Sequence, residues 1–435
     1  MFKNINCKNL PSLRRNIVYQ FLYELLIVFI PLFTIPYVSR VLGAENIGLF
    51  SYTYAVANYF VLFANLGIKN YGSRTIAMVR NNKEELNRNF SEILSIHIIF
   101  SIIVIFVYLV LLFFFVEDNL VIFLIQSIYV FAAVFDINWF FFGIEKFKLT
   151  VGRNTLVKIL SVFLVLVFVK TQTDLWIYAL ILALSVFVGQ SVVWFALKQY
   201  VSWRRPSWAN MKQHIRPLFV LFLPILALSL YKYMDKIMLG SISSNVQVGF
   251  YENAEKIINV PMSLIMAFGV VLMPRIANMV TSKDKGEVFK LIDMSMEAVM
   301  LLAIAISFGL AGISFVLAPI FFGYEFEECG ILIMGLAVTV PFMAFANVIR
   351  TQYLIPYKED KIFVVSLFLG AAVNLIVNII LIPYMAARGA VIGTIFAEII
   401  VCIYQSYFVR KKIFIKKYLL NTIPPILIGI VMFVF

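Results

Sequence analysis

One helical face of the apolar stretch 217–239 carries polar side chains, which are Ser229, Lys232, Asp235 and Lys236. Residues three and four apart lie on the same side of a helix, so these groups form a stripe. Ammonium groups attract phosphate and carboxylate, and we expect Asp235 to hold one ammonium in place. The stripe predicts a binding site for an anionic group. The alternative is that the lysines extend to the nearest polar surface.

A second charged cluster begins the next apolar stretch. Glu252, Glu255 and Lys256 lie within about one turn, and Glu252 precedes Lys256 by four residues, the favourable order for an ion pair. We predict Lys256 as a binding residue, together with Arg40 at the end of the first apolar stretch, and Glu252 as a coupling or gating residue. A purely structural ion pair is an equal alternative.

Acidic side chains inside other apolar stretches are candidates for coupling or gating: Glu24, Asp136 and Glu398. Ionisable groups in hydrocarbon usually face a cavity or a partner, and a buried carboxylate can take up a proton or a cation. Coupling to H⁺ or Na⁺ is therefore expected at one of them, and hydrogen bonding between helices is the alternative. Asn374 and Asn378, one turn apart, are interpreted as packing residues.

These residues lie in a chain of 435 residues that is 62% hydrophobic and only 14% charged. Stretches of about 20 apolar residues are long enough to cross a bilayer as helices. The sequence predicts an all-α membrane protein with thirteen such spans, at 17–39, 48–68, 92–116, 120–143, 155–169, 175–197, 217–239, 250–273, 292–316, 328–349, 362–382, 389–409 and 418–435.

The net charge of +13 is explained by membrane topology, because basic residues are retained on the cytoplasmic side. Most Lys and Arg residues lie before the first span and in alternate links after it, as cytoplasmic segments do. We therefore predict a cytoplasmic N-terminus, a multi-pass protein of the bacterial inner membrane, and no nucleic-acid partner. The first span is too long for a signal peptide, so we expect it to stay uncleaved.

Residues for catalysis are scarce. The sequence has two histidines, three cysteines with no credible disulfide pair, and neither zinc-ligand spacing nor a glycine-rich phosphate loop. We expect no resident cofactor or metal and no enzyme activity. A membrane-embedded polysaccharide polymerase stays as an alternative.

A weak internal repeat suggests two similar halves. The segment from Arg40 through Gly43 to Phe50 resembles the segment from Lys236 through Gly240 to Tyr251. Both lie at the outer end of an odd-numbered span, which is typical of a parallel repeat with a substrate site at the seam. We predict a six-helix bundle at 1–200, a second at 201–412, and an additional, incompletely assigned span at 413–435.

Several stretches resemble the Wzx-type flippases of bacterial polysaccharide synthesis, a branch of the multidrug/oligosaccharidyl-lipid/polysaccharide exporter superfamily. The similar segments follow one another from about residue 16 to 410 and include 35–43, 70–74, 136–145, 248–257, 273–275 and 374–398.

The resemblance implies two pseudo-symmetric bundles in a V-shaped arrangement. It also implies transport of an undecaprenyl-pyrophosphate-linked oligosaccharide to the outer leaflet for O-antigen or capsule synthesis. Expected partners are that lipid, membrane lipids, a polysaccharide polymerase and a chain-length regulator. The proposed mechanism is alternating access through a cationic central cavity. The nearest alternative is a drug exporter of the same superfamily, which would prefer acidic residues in its cavity.

Overall fold

A computed structural model describes residues 10–281 and 285–434. Side chains are described from residue 30 onward, except those of Phe147, Lys148, Tyr231, Val270, Val271, Thr281, Lys285 and Val434. The described residues form helices and links with no strand, which confirms the all-α class.

The helices of the described residues are α1 (Leu10–Asn65), α2 (Ile68–Val79), α3 (Lys83–Phe115), α4 (Leu120–Val134), α5 (Asn138–Gly143), α6 (Phe147–Phe168), α7 (Leu175–Leu197), α8 (Trp208–Ile242), α9 (Asn245–Thr281), α10 (Lys285–Phe322), α11 (Cys329–Ala337), α12 (Thr339–Ile349), α13 (Asp360–Met385), α14 (Ala387–Val409) and α15 (Ile415–Val434). A π-helical turn, Arg350–Leu354, follows α12.

Twelve helical runs of the described residues are long and apolar enough to cross a membrane. The first, Ile30–Val79, contains a break at Gly43, where φ is 77° and ψ is 171°. This run covers the end of the first predicted span and the whole of the second. With that break, the twelve runs account for the thirteen predicted spans.

Two predicted spans are each divided into two helices. The span at 120–143 breaks after α4, and α5 begins where the Oδ1 atom of Asp136 accepts a hydrogen bond from the backbone N–H of Asn138 at 3.0 Å. The span at 328–349 divides at Val338 into α11 and α12. Such breaks are tolerated within membranes when side chains or neighbouring helices satisfy the freed backbone groups.

One compact unit, called unit 1, comprises the described residues up to Leu42 together with Thr53–Leu226. Its core contains Trp139, Phe140 and Phe141 of α5, which are almost completely buried. The Trp139 ring lies over Gly72 of α2, where a Cβ atom would be only 2.5 Å from the ring. Helix α2 is therefore held closely against α5.

The second compact unit, unit 2, comprises Gly43–Tyr52 and the described residues from Ala227 onward. The two units divide within α8, whereas the sequence analysis placed the boundary in the link at residue 200. Helix α15 is part of unit 2 and is fixed to α10, because Lys417 pairs with Asp293 at 2.8 Å and Tyr418 donates a hydrogen bond to the same carboxylate.

The two copies of the internal repeat touch each other within unit 2. A Cβ atom on Gly48 would lie 1.6 Å from the backbone oxygen of Asn245, and one on Gly249 would lie 2.1 Å from the backbone oxygen of Ala44. The contact is reciprocal, since the glycine of each copy packs against the backbone of the other. Glycine is required at both positions because the backbones approach so closely.

Candidate functional site

Unit 2 contains a cavity of about 470 Å³ lined by residues of α8, α9, α12, α13 and α14 and by the π-helical turn. Its volume falls in the range of ligand sites, which is about 300–1,000 Å³. The charged residues that line it are Lys232, Lys236, Lys256, Arg350, Glu252, Glu255 and Glu398. Four basic and three acidic groups give a formal charge of +1 if all are ionised.

Lys236 is held by two glutamates of the neighbouring helix. Its Nζ atom lies 2.6 Å from a carboxylate oxygen of Glu252 and 2.8 Å from one of Glu255, and its side chain is buried. A buried ammonium needs such partners, because removal of a charge from water is costly. Lys236 therefore lines the cavity with its charge already neutralised.

The predicted pair between Glu252 and Lys256 is confirmed. A second oxygen of Glu252 lies 3.1 Å from the Nζ atom of Lys256, so Glu252 bridges Lys236 and Lys256. Four charges on α8 and α9 form one network in the cavity wall, with two lysines facing two glutamates.

Lys232 is different, although it lies one turn before Lys236. Its side chain is exposed in the cavity, and its Nζ atom lies 5.3 Å from the centre of the Tyr233 ring. In the described part of the chain, no carboxylate lies within salt-bridge distance of Lys232. This ammonium is available to an anionic ligand.

Arg350 is a cavity residue that the sequence analysis treated only as a topology charge. One of its Nη atoms donates a hydrogen bond to the Oδ1 atom of Asn347 at 2.7 Å, and its guanidinium lies 5.3 Å from the Phe363 ring. It begins the π-helical turn, a feature that often occurs at functional sites. No carboxylate of the described residues forms a salt bridge with it, and nothing in the sequence signalled this position.

The prediction that Asp235 holds a lysine ammonium is wrong. Its carboxylate accepts hydrogen bonds from neutral donors: Asn378 at 2.6 Å, Tyr251 at 2.6 Å and Thr394 at 3.0 Å. Asp235 follows Lys232 by three residues, but it faces α13 and α14 instead of the cavity. Asn378 has the predicted packing role, because it joins α13 to α8.

Glu398 lines the cavity from α14. One turn before it, Thr394 bonds to Asp235, and further along the helix Gln405 donates to the Oγ atom of Ser366 at 2.9 Å. The polar side chains of α14 thus divide between helix packing and the cavity wall.

The remaining predicted residues lie elsewhere. Arg40 belongs to unit 1 and does not line the cavity of unit 2. Asp136 also belongs to unit 1, where it accepts hydrogen bonds from the backbone and the side chain of Asn138. The side chain of Glu24 lies outside the described part of α1. Among the residues searched, no group of three His, Cys, Asp or Glu side chains is arranged to hold a metal ion.

Comparison with known proteins identifies the family. Residues 13–280 match the model of the family described as polysaccharide biosynthesis protein. A candidate O-antigen transporter of Shigella dysenteriae is 24% identical over 90% of this chain and 99% of its own length.

Solved structures of low sequence identity share the fold. A structure of the lipid II flippase MurJ aligns with a TM-score of 0.73 and 16% identity, over 96% of this chain and 92% of that one. An inward-facing multidrug resistance transporter of the MATE family aligns with a TM-score of 0.68 and 14% identity, over 90% of this chain and 97% of that one. The fold alone therefore does not separate flippases from drug exporters.

The family match spans more than half of the chain and includes most of the motifs quoted above. The chain belongs to the polysaccharide biosynthesis protein family, and its resemblance to the Wzx-type flippases is confirmed.

Proposed function

We propose that this protein moves a lipid-linked oligosaccharide across the membrane. The finer proposal is an undecaprenyl-pyrophosphate-linked repeat unit of O-antigen or capsule, carried from the cytoplasmic to the outer leaflet of the bacterial inner membrane. The observation that carries the proposal is the pair of cavity cations, Lys232 and Arg350, neither of which forms a salt bridge in the described structure.

The head group of such a lipid cannot cross hydrocarbon unaided. Moving a hydroxyl out of water without a hydrogen-bond partner costs roughly 2–7 kcal/mol, and an ionised phosphate costs far more. A cavity among membrane-crossing helices lowers this cost by supplying cations and amides. Asn347 and Gln405 line the same cavity and offer hydrogen bonds to sugar hydroxyls.

The charge balance of the cavity favours an anionic substrate. Lys236 and Lys256 are neutralised by Glu252 and Glu255, so Lys232, Arg350 and Glu398 dominate what a ligand meets. An exporter of cationic drugs would need acids in excess, whereas four basic and three acidic side chains line this cavity, and Lys232 forms no salt bridge in the described structure. The Shigella relative also favours transport over polysaccharide polymerisation.

Alternating access and its energy source are further parts of the proposal. An inside-negative potential favours outward movement of negative charge by up to about 2.3 kcal/mol per charge and 100 mV. Glu398, inside the cavity, is the described residue best placed to couple transport to H⁺ or Na⁺. Transport into vesicles, with pH, sodium and potential varied separately, distinguishes these sources.

The proposal is tested by surface polysaccharide in a strain whose own copy of the gene is deleted and replaced by variants. Lys232→Gln and Arg350→Gln should each reduce export about tenfold, because a hydrogen bond to a charged group contributes about 1.5–3 kcal/mol. Both proteins should reach the normal level in the membrane, since neither side chain forms a salt bridge in the described structure.

The matched control is Lys411→Gln, which removes a lysine that is exposed beyond α14 and does not line the cavity. Normal export by a Lys232→Gln/Arg350→Gln double variant would refute the role of this cavity in binding the head group.

A further inference from the structure

Unit 1 contains a separate cleft of about 710 Å³ with an unusual concentration of arginine. Arg74 of α2, Arg88 of α3 and Arg216 of α8 line it, and all three are exposed. No carboxylate lines the cleft, and in the described structure none of the three arginines forms a salt bridge. The cleft therefore presents three uncompensated positive charges, which we call the arginine cleft.

A buried hydrogen-bond chain fixes the floor of the arginine cleft. Tyr71 lines the cleft, and its hydroxyl oxygen lies 2.7 Å from the Nδ1 atom of His214. The Nε2 atom of His214 lies 3.0 Å from a carboxylate oxygen of Glu92. Asn210 donates to the same carboxylate at 3.0 Å. This chain joins α2, α3 and α8, the helices that carry the arginines.

The starts of the helices are fixed as well. Asn82 caps α3 by accepting hydrogen bonds from the backbone N–H groups of Glu84 and Glu85, and α2 is held against α5 through Gly72. The arginine backbones are therefore positioned before a ligand arrives, which lowers the entropy cost of binding.

Apolar side chains also line the arginine cleft and are open to it. Met78 of α2 is 69% exposed and Val220 of α8 is 58% exposed, each one turn after an arginine, and Pro217 and Leu221 also line the cleft. A free inorganic anion would gain nothing from these side chains. A ligand with an anionic head and an apolar chain would contact both the arginines and the apolar residues, so the lining indicates an amphiphile.

We propose that the arginine cleft is a second binding site, for the diphosphate head group of an isoprenoid-like lipid that enters from the adjacent leaflet. Guanidinium groups bind phosphate oxygens in a bidentate manner, which a lysine cannot do. Three positive charges match a diphosphate ester better than a phospholipid head group with a single negative charge. The site lies in the other unit from the cavity, and the choice of an isoprenoid chain rests on the proposed function.

The test is equilibrium binding of radiolabelled farnesyl diphosphate to the full-length protein in phosphatidylcholine nanodiscs. All proteins carry Lys232→Gln and Arg350→Gln, so that the cavity of unit 2 does not contribute. Arg74→Gln, Arg88→Gln and Arg216→Gln together should weaken binding at least about tenfold, because three charge-assisted contacts are lost. Since the arginines are exposed and unpaired, the variant should keep the parent's melting temperature.

The matched control replaces three exposed lysines of unit 1 that do not line the cleft, with Lys69→Gln, Lys198→Gln and Lys212→Gln together. It removes the same charge and should change the affinity less than about twofold, since none of the three lysines lines the cleft and exposed charges are partly screened by salt. Equal losses in the two triple variants, or no loss in either, would overturn the proposal.

Competitors separate the possible sources of the anion. Unlabelled farnesyl diphosphate should displace the label at a concentration at least about tenfold lower than inorganic pyrophosphate, because only the former contacts Met78 and Val220. Equal potency of pyrophosphate would show a site for soluble anions. Equal displacement by phosphatidylglycerol in the nanodisc would show a site for any anionic lipid. Either result would overturn the assignment to an isoprenoid-like diphosphate.

Discussion

The cavity of unit 2 and the arginine cleft of unit 1 both concentrate basic residues, but only the cavity has acidic residues beside them. In the cavity, Lys236 and Lys256 are matched by Glu252 and Glu255 within 3.1 Å. In the arginine cleft, Arg74, Arg88 and Arg216 have no acidic neighbour among the lining residues.

The difference follows from the surroundings of each region. The lysines of the cavity lie on membrane-crossing helices, where an unpaired charge costs about 2.5–3.5 kcal/mol even on the mildest scale. The arginines lie within α2 and in the N-terminal parts of α3 and α8, and all three side chains are exposed. A basic residue inside the membrane is therefore more informative when it forms no salt bridge, as with Lys232.

The largest effect is expected from removing the paired lysine of the cavity. Lys236→Met leaves two carboxylates facing a buried apolar side chain, and breaking a buried pair costs about 3–5 kcal/mol. Thermal unfolding of the purified protein should show this loss, and the amount of protein in the membrane should fall. Lys232→Met, one turn earlier and unpaired, is the control and should unfold at the normal temperature.

A double variant sharpens the same prediction. Glu255→Gln in the Lys236→Met background should restore part of the stability. It removes the charge of Glu255, which has lost its salt bridge to Lys236, while Glu252 keeps Lys256 as its partner. An unchanged melting temperature for Lys236→Met, with export abolished, would show that Lys236 contacts substrate directly and that the comparison drawn above is wrong.

A smaller effect is expected at Asp235, which is buried but bonded to neutral groups. Asp235→Asn turns one acceptor into a donor that faces the donors of Tyr251 and Thr394, and an unsatisfied buried group costs about 1–3 kcal/mol. Unfolding measurements should detect this loss, whereas export per folded molecule should stay normal. A selective loss of export would show that Asp235 takes part in substrate transport.

A modest effect is expected when Arg350 is replaced by lysine, which keeps the positive charge but lacks the planar guanidinium group. Arg350→Lys cannot hold both Asn347 and the face of the Phe363 ring, and an exposed cation–π contact contributes about 0.5–1 kcal/mol. Export should fall about two- to fivefold, well short of the effect of Arg350→Gln. If the two variants are equally impaired, geometry rather than charge dominates at this position.

The smallest effect is expected at the exposed pair beside the arginine cleft. Arg204 lies 2.8 Å from Glu84, but both side chains are more than half exposed, and such pairs contribute about 0–1 kcal/mol. Arg204→Gln should shift the melting temperature little and leave farnesyl diphosphate binding unchanged. A large loss of stability would show that charge at this end of unit 1 is structurally important.

Much of the fold was predictable, because a membrane requires long apolar helices. The predicted span at 175–197 coincides with α7, and the division of α1 near residue 43 follows from the gap between the first two spans. The break between α4 and α5 was missed because its signal is a single polar contact within an otherwise apolar stretch, the hydrogen bond from the backbone N–H of Asn138 to Asp136.

The candidate site was only partly predictable. Helical spacing placed Lys232, Asp235 and Lys236 on one side of α8, but it carries no information on which helix each side chain meets. Asp235 meets α13 and α14, while Lys236 meets α9. Arg350 was missed because a basic residue near the end of a span is explained equally well by topology.

The reciprocal contact of the internal repeat has a consequence for the history of the chain. Gly48 packs against the backbone of Asn245 and Gly249 against the backbone of Ala44, so a new side chain at either position collides with the backbone of the other copy. Duplicated segments usually diverge freely, but these two are bound to change together. Chimaeras that exchange one half of this protein with a homologue should therefore assemble only when both segments come from the same parent.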